Sequence, residues 1–319
     1  MSETYLTTGS LTAAVVIVGG IVLYRASSSP PTKKTAKKPT ISHIMIYPVK
    51  GCRGLERYSA IVTGNGLRHD RQYAIIARTG DSGECVALSQ TRYPKLVKVV
   101  PKSFDDQGIT LSAPGQTNLN HKAQTSGKEY IIDFYGDKIP VIDQGDEASG
   151  WFSNYLGTDV RFVKLSSVVD RKTADGKSRP NSFFYRTPLL VMSSESLLDI
   201  SEQVGFNVGH SRFRPNIVIS DVAHPWAEDT VSGIRAGSLR MTGTEHCERC
   251  SIPAVDESTG VVDISKLSAM RKARAGSSMV NPRFPVKADE YYVGTYFEPR
   301  IEENNESRIF IGQEVEMYL

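Results

Sequence analysis

From Ile41 to the C-terminus the chain is cut into short apolar runs, each stopped within a few residues by Gly, Asp or Pro. Ile41 to Tyr47 half-alternates between apolar and polar residues and ends at Pro48. Tyr58 to Thr63, Gln72 to Ala77, Cys85 to Leu88, Leu96 to Val100, Ile109 to Ser112, Tyr130 to Phe134 and Lys138 to Ile142 repeat the pattern. Runs this short suit strands, and their punctuation predicts a mainly antiparallel barrel or sandwich. Further strands are expected over Val160 to Leu165, Pro188 to Met192, Asn216 to Ser220, Ser238 to Thr242, Tyr291 to Phe297 and Ile309 to Met317. Three stretches read as helices instead. Glu147 to Leu156 carries Trp151, Phe152 and Tyr155 at helical spacing, the mark of core packing. Ser193 or Ser194 caps a helix through about Val204, with Glu195 in its first turn, and Ile264 to Ala273 has a basic end. Asp170 to Asn181 is polar and basic and reads as a mobile loop. The class is mainly β (α+β), without an internal repeat.

Of the 319 residues, 39% are hydrophobic and 23% charged, a globular balance with room for one large or two modest domains. The net charge of +3 is unevenly placed. Residues 1–40 hold Arg25, Lys33, Lys34, Lys37 and Lys38 against Glu3, a local +4, so the rest of the chain carries −1. A nearly neutral body gives no electrostatic reason for nucleic-acid binding. Four cysteines, with Cys52 and Cys85 isolated, make no secreted disulfide framework, so a reducing compartment is the better setting.

Leu11 to Tyr24 carries no charge. As a helix it would reach about 21 Å, short of the roughly 30 Å hydrocarbon core, and the uncharged stretch Tyr5 to Ser10 makes up the length. Only Glu3 precedes the run and the cations follow it. That order favours an uncleaved anchor over a signal peptide and keeps the bulk of the chain cytosolic. Residues 1–26 are thus expected to form a transmembrane anchor helix, and 27–40, rich in Ser, Pro and Lys, a flexible tether. Such an anchor suits the mitochondrial outer membrane, with the endoplasmic reticulum as the alternative.

The candidate chemistry sits in a few places. His246-Cys247-Glu248-Arg249-Cys250-Ser251-Ile252-Pro253 holds the only two cysteines close together in sequence. A thiolate beside cationic and amide donors is what a soft metal with an anionic organic ligand needs. The pair admits three readings. Structural zinc wants four ligands and commonly a second pair, which Cys52 and Cys85 do not supply. A redox CxxC belongs near a helix N-terminus in a βαβ setting, and Pro253 and the strand-like neighbours argue against that. In the third, one thiolate ligates another metal and the other packs. Lys50 beside Gly51, Arg71 just before a strand, and Arg214 and Asn216 on either side of Pro215 suit an anion with a heterocycle. Any one such cation is more often a solvated face. The six histidines form no HxxxH or CxxCH pattern, and no GxGxxG loop follows a strand, so electrons for a redox reaction would come from another protein.

Tyr47-Pro48-Val49-Lys50-Gly51-Cys52 and Gly66-Leu67-Arg68-His69-Asp70-Arg71 resemble the N-terminal β-barrel of MOSC proteins. Phe213-Arg214-Pro215-Asn216 and Cys247-Glu248-Arg249-Cys250, followed by Asp256 and Gly260, resemble the MOSC domain. With the N-terminal run, the chain from about Ile41 to Leu319 is similar to the mitochondrial amidoxime-reducing components. The resemblance implies two β-barrel domains, 41–165 and 166–319, and a molybdenum cofactor (Mo-molybdopterin), a pterin dithiolene with a phosphate tail. It assigns Cys250 as the catalytic metal ligand and Lys50, Gly51, Arg71, Thr187, Arg214 and Asn216 as cofactor-binding. Gly51 stands where the animal proteins carry serine. Tyr185-Arg186-Thr187 stands where they carry Asp and small hydroxyl residues, so Thr187 keeps a hydroxyl while Tyr185 removes a carboxylate. The implied activity is reduction of small N-hydroxylated compounds, with electrons from NADH through cytochrome b5 reductase and a cytochrome b5-type carrier. MOSC-like domains also occur in cofactor sulfurases, where Cys250 would carry a persulfide, although no pyridoxal-binding partner domain is visible. A non-catalytic tethered barrel with a structural cysteine pair is the third expectation.

Overall fold

The computed structural model describes residues 13–18, 21–26, 37–79, 84–134, 136–166, 171–172, 178–179, 183, 187–301 and 305–319. They fall into two units, Met1–Lys37 and Lys38–Leu319. In the first, Ala13–Val18 and Ile21–Ala26 pair as an antiparallel hairpin with Val18 opposite Ile21. The anchor helix expected over 1–26 is therefore corrected to strands in its described part. β-Branched Val15, Val16, Ile17, Val18, Ile21 and Val22 favour the extended backbone. No described helix is long and apolar enough to cross a membrane. Most of the 27–40 tether lies outside the described residues.

The second unit is mainly β, as expected. Tyr73–Thr79, Glu84–Ala87, Glu129–Phe134, Asp137–Asp143 and Arg161–Leu165 close into a barrel. Its seams are antiparallel except where Glu129–Phe134 runs parallel to Glu84–Ala87. Alternation along these strands sends Ala74, Ile76, Ile132, Ile139, Val141 and Val163 into one buried cluster. Helix α1, Asp146–Leu156, buries Trp151 and Phe152 against the main core and stops at Gly157 (φ +72°).

Thr40–Ile46 does not join that barrel. It pairs with Ile217–Ser220 in an eight-stranded sheet with Leu55–Glu56, Leu189–Ser193, Gly233–Ala236, Leu239–Glu248, Tyr292–Arg300 and Val315–Tyr318. The flanks of this sheet meet. Thr40 bridges Glu314, the Ile41 N–H donates to Gln313 O at 2.9 Å, and the Val315 N–H donates to Pro39 O at 2.7 Å. The second expected barrel is thus a curled sheet joined by one short bridge, not a continuous ring of ladders. In return, Ser307–Phe310 pairs with Ser59–Thr63. Helix α2, Ser194–Val204, begins on Ser193, whose side chain accepts the Ser196 N–H at 3.1 Å. Helix α3, Ile264–Ala273, is capped by Asp263.

Three expected strands differ. Leu96 to Val100 begins instead as the 3₁₀ turn Pro94–Lys98, because Pro94 presets a helical first turn, and the strand follows at Val100–Phe104. Ile309 to Met317 divides into Ser307–Phe310 and Val315–Tyr318, with Gly312 (φ +87°) turning between two sheets. Ser238 to Thr242 lengthens into Leu239–Glu248, which delivers Cys247 close to its end. Of the loop expected at 170–181, Arg171–Lys172 and Ser178–Arg179 pair with each other, and the rest lies outside the described residues.

Candidate functional site

Asp70 ties the site together. One carboxylate oxygen accepts the Tyr47 N–H at 2.7 Å, and the other accepts the Asn216 amide at 3.0 Å and the Arg71 guanidinium. Asn216 is buried just ahead of Ile217–Ser220. Its oxygen accepts the Leu190 N–H at 3.2 Å and Arg71 Nη1 at 3.4 Å, and its nitrogen also donates to Met45 O at 3.3 Å. Three neighbouring strands are thus pinned by one amide whose donors and acceptor are all engaged by protein. The heterocycle contact expected of Asn216 is left no unused N–H.

Beside this knot lies a cavity of about 370 Å³. All seven residues singled out from the sequence line it: Lys50, Gly51, Arg71, Thr187, Arg214, Asn216 and Cys250. Tyr185 and Arg186 lie outside the described residues. Gly51 has φ +82°, the left-handed region that favours glycine, so a serine there would be strained. Arg71 (φ +51°) and Arg214 (φ +56°) also adopt it, at a cost of order 1 kcal/mol each. Their backbones are held there by N–H donation to Tyr47 O at 2.7 Å and to His210 O at 3.1 Å.

The cavity wall is cationic. Lys50 Nζ donates to Leu88 O at 2.9 Å. Burial pulls its pKa down to about 8; nearby Arg214 adds to the effect, and Cys250 and Cys52 oppose it. Arg214 Nη1 donates to Glu257 at 3.3 Å, both side chains being buried. Burial holds the arginine below its ordinary pKa, with Glu257 opposing. Arg249, next to Cys250, donates through Nε to Val293 O at 3.0 Å. Arg214 Nη2 and Arg249 Nη2 are both buried with no hydrogen-bond partner among the described residues. An unsatisfied buried N–H of a cation is costly, so these two mark where an anion would be held.

The cysteine pair is split by its surroundings. Cys247 is buried near the end of Leu239–Glu248, where burial pushes its thiol pKa up. Cys250 lies beyond the strand, exposed, and its Sγ accepts the Ile252 N–H at 3.5 Å. Both thiols are free. A clamp steadies this loop: Arg212 donates to Pro253 O at 3.1 Å and to Asp256 at 2.7 Å. Asp256 in turn accepts the Ser258 and Thr259 N–H groups at 3.0 and 3.1 Å. His246 is structural, since its Nε2 accepts the Phe284 N–H at 3.2 Å while Nδ1 faces Thr295 Oγ1 at 3.1 Å. Among the described residues, no three His, Cys, Asp or Glu side chains are grouped to hold a metal.

Sequence reasoning missed Arg249, Arg212, Glu257 and Tyr296. Arg249 and Tyr296 also line the cavity. Arg249 had a signal, its place between the two cysteines. Glu257 lay unmarked between Asp256 and Gly260, and Arg212 and Tyr296 had no motif to mark them.

Residues 38–159 match the family model of the MOSC N-terminal beta barrel domain, and 173–316 match that of the MOSC domain. Mitochondrial amidoxime reducing component 2 of Bos taurus is 30% identical over 237 residues, 70% of this chain and 68% of the relative. Its counterpart in Macaca fascicularis is 31% identical over 237 residues, 70% and 69% of the two chains. A molybdenum cofactor sulfurase of Oryza sativa subsp. japonica is 28% identical over 260 residues, which cover 74% of this chain but 30% of the relative. The chain belongs to the MOSC-domain family, with the N-terminal MOSC β-barrel domain followed by the MOSC domain.

Proposed function

We propose that the cavity holds the molybdenum cofactor and that the protein reduces small N-hydroxylated compounds of the amidoxime and hydroxylamine type. The observation that carries this reading is that Arg214 and Arg249, each with a buried, unpartnered guanidinium nitrogen among the described residues, line the same cavity as the exposed Cys250. The residues present suit a phosphate-bearing dithiolene: a soft thiolate for the metal, and arginine forks and Lys50 for the anionic groups. A cavity of about 370 Å³ is within the range of small-molecule sites. When bound, the cofactor supplies the oxygen and electron transfer, and the protein supplies orientation and charge. Cys250 presents its sulfur to the metal from a loop fixed by Arg212 and Asp256. Asp70 and Glu257 steady Arg71 and Arg214 from behind. The Thr187 hydroxyl, 3.4 Å from that of Thr244, offers a polar contact in the wall. Burial raises the pKa of the Tyr296 hydroxyl well above its ordinary value, and its O–H donates to the Cys247 sulfur, tying this lining residue to the strand end ahead of Cys250.

In this reading electrons reach the site from NADH through cytochrome b5 reductase and a cytochrome b5-type carrier. The protein resides at the mitochondrial outer membrane with 38–319 in the cytosol. Support for the location is the relatives' names and the basic run Lys33, Lys34, Lys37 and Lys38. The test is to purify the chain, measure its molybdenum, and assay NADH-dependent benzamidoxime reduction with those two partners. Both should be found. A metal-free chain that cannot be reconstituted ends the proposal.

A second reading is favoured by the exposure of Cys250 and by the sulfurase relatives: a sulfur-handling protein with a persulfide on Cys250. Mass spectrometry showing a stable extra sulfur there, without bound molybdenum, would select it.

A further inference from the structure

Tyr47 contributes nothing to the lining of the cavity, yet the site is built around it. Its ring is fully buried. The Arg214 guanidinium carbon lies 4.2 Å from the ring centroid and that of Arg71 lies 4.8 Å from it. Both arginines line the cavity, and both have left-handed backbones. The Tyr47 main chain is fixed at both ends, by its N–H to Asp70 and by its carbonyl, which accepts the Arg71 N–H. Gly54 packs so closely that a Cβ there would fall 2.4 Å from Tyr47 Cε1. The Tyr47 hydroxyl is buried with no partner among the described residues, so the ring and not the hydroxyl is what this place uses.

Two guanidiniums around one ring repel, and the carboxylates paired with them among the described residues are Asp70 for Arg71 and Glu257 for Arg214. The negative face of a desolvated aromatic ring attracts both at once and limits where their planar forks can point. We infer that Tyr47 is a positioning residue: its buried ring holds the Arg71 and Arg214 guanidiniums in register along the cavity and thereby sets the affinity for a phosphate-bearing anion. This rests on the reading of the cavity as an anion site and adds the residue that orients its cations.

The test is calorimetric titration of the metal-free full chain with inorganic phosphate and with methyl phosphate, on variants first shown to be folded by circular dichroism. Tyr47→Phe keeps the ring, and its affinity should stay within about twofold of the unaltered chain, with thermal stability not lowered. Tyr47→Leu should bind about tenfold more weakly. Gly54→Ala, which pushes the ring aside and changes no cavity-lining residue, should also weaken binding several-fold and covers the case in which Tyr47→Leu fails to fold. Folded Tyr47→Leu or Gly54→Ala with unchanged phosphate affinity would show the ring to be mere core filling and overturn the inference. An unaltered chain that binds neither anion would overturn it together with the reading of the cavity.

Discussion

Cys247 and Cys250 are three residues apart and meet opposite surroundings, so they should respond to the same substitution in opposite ways. Cys250→Ser changes an exposed side chain and should leave thermal stability nearly unaltered while molybdenum content falls to background. Cys247→Ser places a hydroxyl in a buried site and should cost about 1–3 kcal/mol while molybdenum is retained. Denaturant titration and elemental analysis of the two variants separate the roles. Asn216 is the second decisive residue. Asn216→Ala leaves the Leu190 N–H and the Met45 carbonyl unpaired and removes a partner from Asp70, and should destabilise the fold by about 2–4 kcal/mol in urea unfolding. Residue types at fixed spacing located both Cys250 and Asn216. Spacing could not show that every hydrogen-bonding group of Asn216 is spent on protein, because its partners lie 26, 146 and 171 residues away in sequence. Arg249 was hidden in plain view between the cysteines.

At the scale of elements, the segment 249–260 matters most, since it carries Cys250 on little more than the 3₁₀ turn Ile252–Ala254 and one bridge from Val255 to Val262, with no α-helix or ladder to hold it. Arg212 and Asp256 replace that regular structure. Ser258 and Thr259, with Arg212, hold the Asp256 carboxyl down at about 2, below its ordinary value near 4. A depressed carboxyl stabilises the folded chain above its unfolded pKa and ceases to do so as pH falls through its folded one. The stability difference between the unaltered chain and Asp256→Asn should therefore be present above about pH 4 and fade towards pH 2, as read by urea unfolding at several pH values. Arg212→Ala should weaken metal retention without touching the cavity. Helix α2 was legible from its capping serine and Glu195, and α3 from a stretch with a basic end. The start of Leu96 to Val100 was not, because a short apolar run does not distinguish a strand from a 3₁₀ turn.

Across the whole molecule, strands cross the boundary that motifs suggest. Thr40–Ile46 lies in the sheet of the C-terminal part, and Ser307–Phe310 pairs with Ser59–Thr63 from the other side. One buried cluster runs through Ile44, Ile75, Phe162, Val191, Ile217 and Phe297. Residues 38–319 should therefore unfold in one cooperative transition, and 41–165 or 166–319 expressed alone should fail to give a dispersed NMR spectrum. Two separate transitions would contradict this. Order along the chain revealed the two families of strands but not this exchange, since pairing between distant strands leaves no local periodicity. The N-terminal run misled for the reverse reason: uniform apolarity fits an anchor helix, while its β-branched residues fit the paired strands Ala13–Val18 and Ile21–Ala26. The central claim is that the cavity joining these two halves binds molybdenum through Cys250. It is tested most directly by metal analysis of the full chain purified from a host that makes the cofactor. About one molybdenum per chain, lost in the folded Cys250→Ser variant, is the predicted result; a folded chain without molybdenum, or one whose metal survives that substitution, would contradict it.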